Sequence, residues 1–206
     1  MLRQAWEQNA ADWIRWAREP GHDSYWRFHR DAFLPLIPQP GGLTLDVGCG
    51  EGRVTRDLKE AGHHVVGVDW SKSMIEAARE ADPEGEYVVA DAAALPFEDG
   101  QADVVVSFMS LMDTDDMPGA TQELARVLRP GGRLAIAVVH PINSGHELDR
   151  EHPEDRLVLT ENYFDAILGA GFAIERVREI PDPEHPRWSR YPLFLHALAA
   201  KASQPG

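Results

Sequence analysis

Three glycines at alternate positions, Gly48, Gly50 and Gly52, follow the acid of Leu45-Asp46-Val47 and precede Arg53-Val54. Glycines there let the chain take positive φ and let a ligand approach backbone that carries no Cβ. The unpaired N–H groups that open the following helix favour a polar or anionic ligand. Further along, Asp69 closes the aliphatic stretch His64-Val65-Val66-Gly67-Val68, at the spacing of a carboxylate that accepts hydrogen bonds from both hydroxyls of a ribose. Together these residues describe a nucleoside site at the carboxyl edge of a sheet. Taken singly, the loop also suits a tight strand-to-helix turn, and Asp69 a helix N-cap.

Two residues bear on which nucleoside. A dinucleotide loop reads G-x-G-x-x-G, its third glycine allowing close helix packing beneath a pyrophosphate. Here the order is G-x-G-x-G, and Arg53 stands where that third glycine would be. Asp46, just before the loop, suits a facing ammonium and disfavours a neighbouring pyrophosphate. A zwitterionic ligand without phosphate fits better than a nicotinamide dinucleotide, so an oxidoreductase is the weaker reading.

These side chains need a frame that ends several strands at one edge. From Leu43 onward, short aliphatic runs alternate with amphipathic ones, the pattern of a parallel sheet covered on both faces. It predicts strands at Leu43 to Val47, His64 to Asp69, Tyr87 to Ala90, Asp103 to Ser107 and Arg133 to Val139. Helices are expected from Gly52 to Ala61, Lys72 to Ala81 and Pro118 to Leu128, with Pro130-Gly131-Gly132 turning into the fifth strand. A helix from Glu161 to Ala170, stopped at Gly171, leads into a strand from Phe172 to Ile180. The run Leu193 to Lys201 is ambiguous by periodicity alone. Ahead of the sheet, Leu2, Ala5, Trp6, Ala10, Trp13, Trp16 and Ala17 recur at helical spacing until Pro20-Gly21, and a second helical pattern runs through Tyr25, Trp26, Phe28, Phe33 and Leu36. The expected organisation is one domain: a helical lid over residues 1–40, a core over 41–201 and a tail over 202–206.

Composition agrees. With 206 residues and 43% hydrophobic content the chain suffices for one buried core. A formal charge of −14 argues against nucleic acid as substrate, because neutralising phosphates needs clustered lysine and arginine. The single cysteine, Cys49, excludes an internal disulfide and a thiolate metal cluster, and reads as a small residue between glycines. With no signal-peptide run and no apolar stretch of membrane-spanning length, a soluble, cytoplasmic protein is expected.

The chain resembles the class I S-adenosylmethionine-dependent methyltransferases, in particular the small methyltransferase type 11, or UbiE-like, group. Five ordered segments carry the likeness: Leu45-Asp46-Val47-Gly48-Cys49-Gly50-Glu51-Gly52; Val66-Gly67-Val68-Asp69-Trp70-Ser71 with Met74; Ala90-Asp91-Ala92 before Leu95-Pro96-Phe97; Phe108-Met109-Ser110-Leu111-Met112; and Arg126-Val127-Leu128-Arg129-Pro130-Gly131-Gly132. The resemblance implies an α/β, Rossmann-like sheet of seven mostly parallel strands with the last antiparallel, which makes Leu193 to Lys201 a strand. It also implies that Asp46 and the backbone of Gly48, Gly50 and Gly52 hold the methionine end of S-adenosylmethionine, with Cys49 and Arg53 in the same loop. Asp69 takes the ribose, Trp70 and Met74 sandwich the adenine, Asp91 and the N–H of Ala92 meet its edge, and Phe108 and Met109 surround the sulfonium. Trp70 and Met74 equally suit ordinary core, Asp91 a turn, and Phe108-Met109 a plain buried wall.

Methyl transfer from a sulfonium is an in-line displacement that leaves S-adenosylhomocysteine, so the protein mainly positions the acceptor and excludes water. His140, at the end of the fifth strand, is the candidate base, or else a histidine that only shapes the pocket. Trp13, Tyr25, Trp26 and His29 of the lid are the candidate acceptor contacts, with His22 and Asp23 beside them, and point to a small aromatic or apolar metabolite methylated at O, N or C. The aromatic stripe equally suits packing. Asp113, Asp115 and Asp116 before Pro118 read as a helix start rather than a metal site. No metal, nucleic acid or membrane is expected, and the chain would act as a monomer or homodimer. A member of the fold that binds the adenosyl ligand without transferring methyl is the other reading.

Overall fold

A computed structural model describes residues 2–19, 24–140, 160–184 and 189–202. His22, Asp23 and most of the expected tail lie outside them. The sheet has seven strands in the order β3-β2-β1-β4-β5-β7-β6. In chain order these are β1 (Leu43–Val47), β2 (His64–Asp69), β3 (Glu86–Val89), β4 (Ala102–Phe108), β5 (Leu128–Val139), β6 (Phe172–Pro181) and β7 (Pro192–Lys201). β1 pairs in parallel with β2 on one side and β4 on the other, and β7 runs antiparallel between β5 and β6. This is the Rossmann-like, mostly parallel sheet that the resemblance implies, including the strand at the ambiguous last run. The order reverses between β1 and β4, where an open α/β sheet leaves a crevice at its carboxyl ends.

The helices are α1 (Leu2–Arg18), α2 (Arg30–Phe33), α3 (Arg53–Glu60), α4 (Lys72–Ala81), α5 (Met117–Val127) and α6 (Thr160–Gly169). Alternation along each strand sends successive side chains to opposite faces. Val105, Leu134 and Ile136 thus pack under Leu124, Ile167 and Phe172, whereas Val104, Val106, Phe108, Ala135 and Ala137 pack against Val54 and Leu58 of α3 together with Tyr25, Phe33 and Leu36.

Two local expectations differ from the structure. The helical pattern through Tyr25 to Leu36 is a π-helical turn (Tyr25–His29), α2 and a 3-10 turn (Leu34–Leu36). Pro35 has no N–H to continue the ladder and forces the chain into the tighter turn. The Pro130-Gly131-Gly132 stretch lies inside β5, not before it: Leu128 already pairs with Ala102, and the register then shifts before Arg133 pairs with Val104. A bulge absorbs the extra residues that the sequence suggests as a turn.

Residues 1–40 divide. α1 stands over the carboxyl edge, while residues 25–37 pack on the sheet beside α3, with Tyr25 and Phe33 fully buried.

Candidate active site

At the carboxyl ends of β1, β2 and β4 lies a cavity closed above by Trp6 and Trp13 of α1. Its floor is the glycine loop. The N–H groups of Gly48 and Cys49 both donate to the Val68 carbonyl, at 2.7 and 3.0 Å, pinning the loop to the end of β2. Gly48 has φ +79°, and a Cβ there would fall 2.2 Å from the Ser110 Cβ. Only glycine permits both that backbone and that approach. Ser110 is held there by hydrogen bonds from its hydroxyl to the Val47 carbonyl (2.9 Å) and with the Ser107 hydroxyl (2.8 Å).

Asp46 is wholly buried at the end of β1. Its Oδ2 accepts from the Thr55 hydroxyl at 2.6 Å, while Oδ1 is buried with no hydrogen-bond partner among the described residues. Burial, more than the neighbouring Asp69, pushes its carboxyl up to about 7. A buried acceptor without a donor is costly, and a ligand ammonium would supply the missing partner. Asp69 accepts from Gly50 N–H at Oδ2 (2.8 Å) and from Ser71 N–H at Oδ1 (2.9 Å). Burial raises its proton affinity, and those backbone donors partly offset the rise. Each oxygen retains acceptor capacity beyond one bond, so the carboxylate that braces the loop also suits a diol. Besides these acids, the glycine loop leaves bare backbone facing the cavity, so the residues present fit a phosphate-free adenosyl amino acid.

Trp70, Met74, Asp91, Ala92, Phe108 and Met109 line the same cavity, as do Gly48, Cys49, Gly50 and Arg53. Met74 is buried, Trp70 is 40% exposed, and Asp91 accepts from the Ala93 N–H at 3.0 Å in a tight turn. Met109 has φ +53°, the one non-glycine residue with positive φ among those described. Strain of this kind tends to gather where a site dictates the backbone. The Arg53 guanidinium lies over the rings of Trp13 (5.1 Å), Tyr25 (5.3 Å) and Phe108 (5.8 Å), and burial pushes it down to about 10. Burial also pushes the Cys49 thiol well up, consistent with a small packing residue rather than a nucleophile.

Other candidates fall elsewhere. Gly52 does not line the cavity: it N-caps α3 with φ +84°, against the Tyr87 ring and Ala78. Of the expected acceptor contacts, Trp13 faces the cavity. Tyr25 is buried, its hydroxyl donating to Asp57 at 2.5 Å. Trp26 is 60% exposed. The buried His29 pairs with His196, Nδ1 to Nε2 at 2.8 Å. His140 stands at the end of β5 with Nε2 3.2 Å from Glu179 Oε1, apart from the residues that line the cavity. A helical stripe shows which positions are covered but not by what, and so it merged cavity-facing and core-facing rings.

Three contributors were not anticipated. Glu7 of α1 accepts from the hydroxyls of Ser71 (2.5 Å) and Ser73 (2.7 Å), tying α1 to the start of α4. The lone acid on the first turns of an otherwise aromatic helix was the available signal. Thr55 was hidden within an ordinary amphipathic helix. Asp113 lines the cavity, whereas of the three acids expected to start α5, Asp116 caps it by accepting from Gly119 N–H at 2.9 Å.

Comparison with known proteins points the same way. Residues 45–136 match a family described as a methyltransferase domain. The malonyl-[acyl-carrier protein] O-methyltransferase of Pectobacterium atrosepticum is 36% identical over 110 residues, 53% of this chain and 44% of its own length. The demethylmenaquinone methyltransferase of Beutenbergia cavernae is 36% identical over 117 residues, 57% of this chain and 48% of its own. The chain thus spans about half the length of the curated relatives it matches. In fold, a Haloferax volcanii protein solved in complex with the Trm112 methyltransferase activator superposes with a TM-score of 0.81 over all of both chains, at 21% identity. The matched span, residues 45–136, contains all five sequence segments and resembles a methyltransferase domain, and the chain as a whole shares the fold of that structural neighbour.

Proposed function

We propose that this chain binds S-adenosylmethionine in the cavity at the ends of β1, β2 and β4 and methylates a small acceptor of aromatic or apolar character beneath α1. The bound sulfonium supplies an electrophilic methyl group to an acceptor atom aligned behind it. The Asp46 Oδ1, buried without a donor, carries the reading: it takes a hydrogen bond from the ammonium of the methionine end. The backbone at Gly48 and Gly50 borders the same end. Asp69 receives the ribose hydroxyls, Trp70 and Met74 clamp the adenine, and Asp91 with the Ala92 N–H meets its edge. Phe108 and Met109 wall the reacting centre, and together with Trp6 and Trp13 they keep water from it, which strengthens the electrostatics inside. The apolar character of that wall supports an aromatic or apolar acceptor. Asp46 and Asp69 disfavour a pyrophosphate.

Calorimetry with S-adenosylhomocysteine, S-adenosylmethionine and NAD tests the reading. Saturable binding of the first two, weakened in Asp46→Asn, is expected. Saturable NAD binding with no response to either adenosyl ligand refutes it.

A further inference from the structure

Asp113 closes the 3-10 turn Leu111–Asp113 that follows β4, its N–H donating to the Ser110 carbonyl at 3.0 Å. Because Ser110 is bonded to Val47 and wedged over Gly48, this turn is fixed against the glycine loop. Asp113 lines the cavity with Phe108, Met109 and Thr114, on the turn that Ser110 holds against Gly48. Among the described residues it accepts no hydrogen bond and joins no ion pair. The buried Tyr163 of α6 is close enough for its phenol to feel the charge. Asp46, Arg53, Asp69 and Asp91 face the same cavity from the end of β1, the start of α3, the end of β2 and the loop after β3. Asp115 and Asp116, on its own segment, are exposed.

We propose that Asp113 is the proton acceptor of the transfer, and that the methylated atom belongs to a hydroxyl or amine. This rests on the methyltransferase reading above. A bond forms between the acceptor oxygen or nitrogen and the methyl carbon, and the carbon–sulfur bond breaks, its electron pair staying on a neutral thioether. The acceptor's proton passes to an Asp113 carboxylate oxygen and from there to solvent. Burial pushes Asp113 up to about 6, so it is deprotonated at neutral pH yet basic enough to take a proton in the transition state. His140, the base candidate read from sequence, points at Glu179 instead. A carboxylate acceptor would meet Asp46, Asp69, Asp91 and Asp113 against Arg53 alone among the charged lining residues, which favours a neutral or cationic acceptor.

Asp113→Asn tests this, with S-adenosylhomocysteine binding, turnover on a panel of phenol, alcohol and amine probes, and melting temperature as readouts. The variant should bind S-adenosylhomocysteine within about twofold of the parent while turnover at pH 7.5 falls by about 10²–10⁴-fold, the usual worth of a general base. The parent's rate should fall as pH drops through about 6, a limb the variant lacks. An unpartnered carboxylate of raised proton affinity disfavours the folded state at high pH, so the variant should melt higher than the parent at pH 8 and level with it at pH 4. Unchanged turnover with the same acid limb overturns the proposal, and so does a variant that melts lower than the parent at pH 8, which marks a structural carboxylate. A parent that binds S-adenosylhomocysteine yet turns over none of the phenol, alcohol and amine probes also overturns the assignment of a hydroxyl or amine acceptor. A parent protein that fails to bind S-adenosylhomocysteine sinks the underlying function instead.

Discussion

Replacing Asp46 by asparagine should stabilise the ligand-free protein at pH 8 while weakening its hold on the donor. The folded chain raises this carboxyl from an ordinary 3.8 to about 7. Between those values the native state holds a proton that the unfolded chain has lost, so stability falls as pH rises through the window and is lowest above 7. The interval corresponds to about 4 kcal/mol, an upper figure for a fully buried group. An amide keeps the hydrogen bond from Thr55 but leaves its own N–H groups where Oδ1 had no partner, at about 1–3 kcal/mol. The net gain for Asp46→Asn at pH 8 is therefore about 1–3 kcal/mol, or about 2–12 °C for a chain of this size. Urea unfolding of both proteins at pH 8 and pH 4 measures it, and the order should reverse at pH 4, where the native carboxyl of the parent is protonated and the cost of the unpartnered amide N–H remains. Asp69, Asp113 and the buried histidines titrate in both proteins, so the difference between the two curves reports Asp46 together with its coupling to Asp69. With saturating S-adenosylhomocysteine the order should invert, because a ligand at 100 times its Kd adds about 2.7 kcal/mol to the protein that binds it. A variant less stable than the parent at pH 8 and at pH 4 alike refutes the reasoning, since the orphan oxygen would then not be a strained acceptor awaiting a donor.

Other substitutions probe the frame. Gly48→Ala puts a Cβ 2.2 Å from Ser110 Cβ at φ +79°; it should cost about 2 kcal/mol or more and abolish S-adenosylhomocysteine binding, read by melting and calorimetry. Glu7→Gln weakens the bonds to Ser71 and Ser73 and should loosen donor binding several-fold, with under about 1 kcal/mol lost from global stability because the tie is partly exposed. Burial lowers His29 to about 3 and His196 to about 4, so the unfolded chain takes up their protons first as pH falls below about 6.5 and stability is lost there. Replacing the pair by His29→Phe with His196→Leu should flatten that acid limb in urea titrations, and an unchanged limb would assign it to other groups.

The frame was legible because its elements follow from local rules. β2 (His64–Asp69) and α4 (Lys72–Ala81) have the bounds their patterns predict, since a continuous aliphatic run between turns and a Ser-capped amphipathic run leave little choice. The β5 bulge was not legible, because Pro130-Gly131-Gly132 reads locally as a turn, and only pairing of Leu128 with Ala102 across the sheet extends the strand through it. The part of the site built on strand ends was visible in the same way: Asp46, Asp69 and Phe108 inherit their positions from β1, β2 and β4. What hangs on turns was not. Asp113, Asp115 and Asp116 look alike in sequence, and the 3-10 turn after β4, fixed by Ser110 against Gly48, sends Asp113 into the cavity while Asp116 caps α5. Trp13 and Tyr25 come from two separate helical patterns that look alike in sequence, yet Tyr25, like His29, is buried while Trp13 lines the cavity.

The charges around the cavity argue for a ligand independently of any resemblance. Asp46, Asp69 and Asp113 are each raised by burial, and Arg53 is lowered by it. Selection for stability alone would not gather carboxylates that repel one another at the mouth of a sheet when apolar residues of similar size would pack there at no electrostatic cost. Nor does the fold need Asp46 to end β1, since Thr55 uses only one of its oxygens. The arrangement makes physical sense when something carrying positive charge and several donors enters: an ammonium beside Asp46, a diol beside Asp69, a sulfonium between the acids and the ring of Phe108. Each of those groups is present in a single molecule, the methyl donor, and with its product the sulfonium charge disappears. On the proposed function, acids that hold the donor through its cationic centre would hold the product less firmly, so discharge of that centre would favour release once the methyl group had moved.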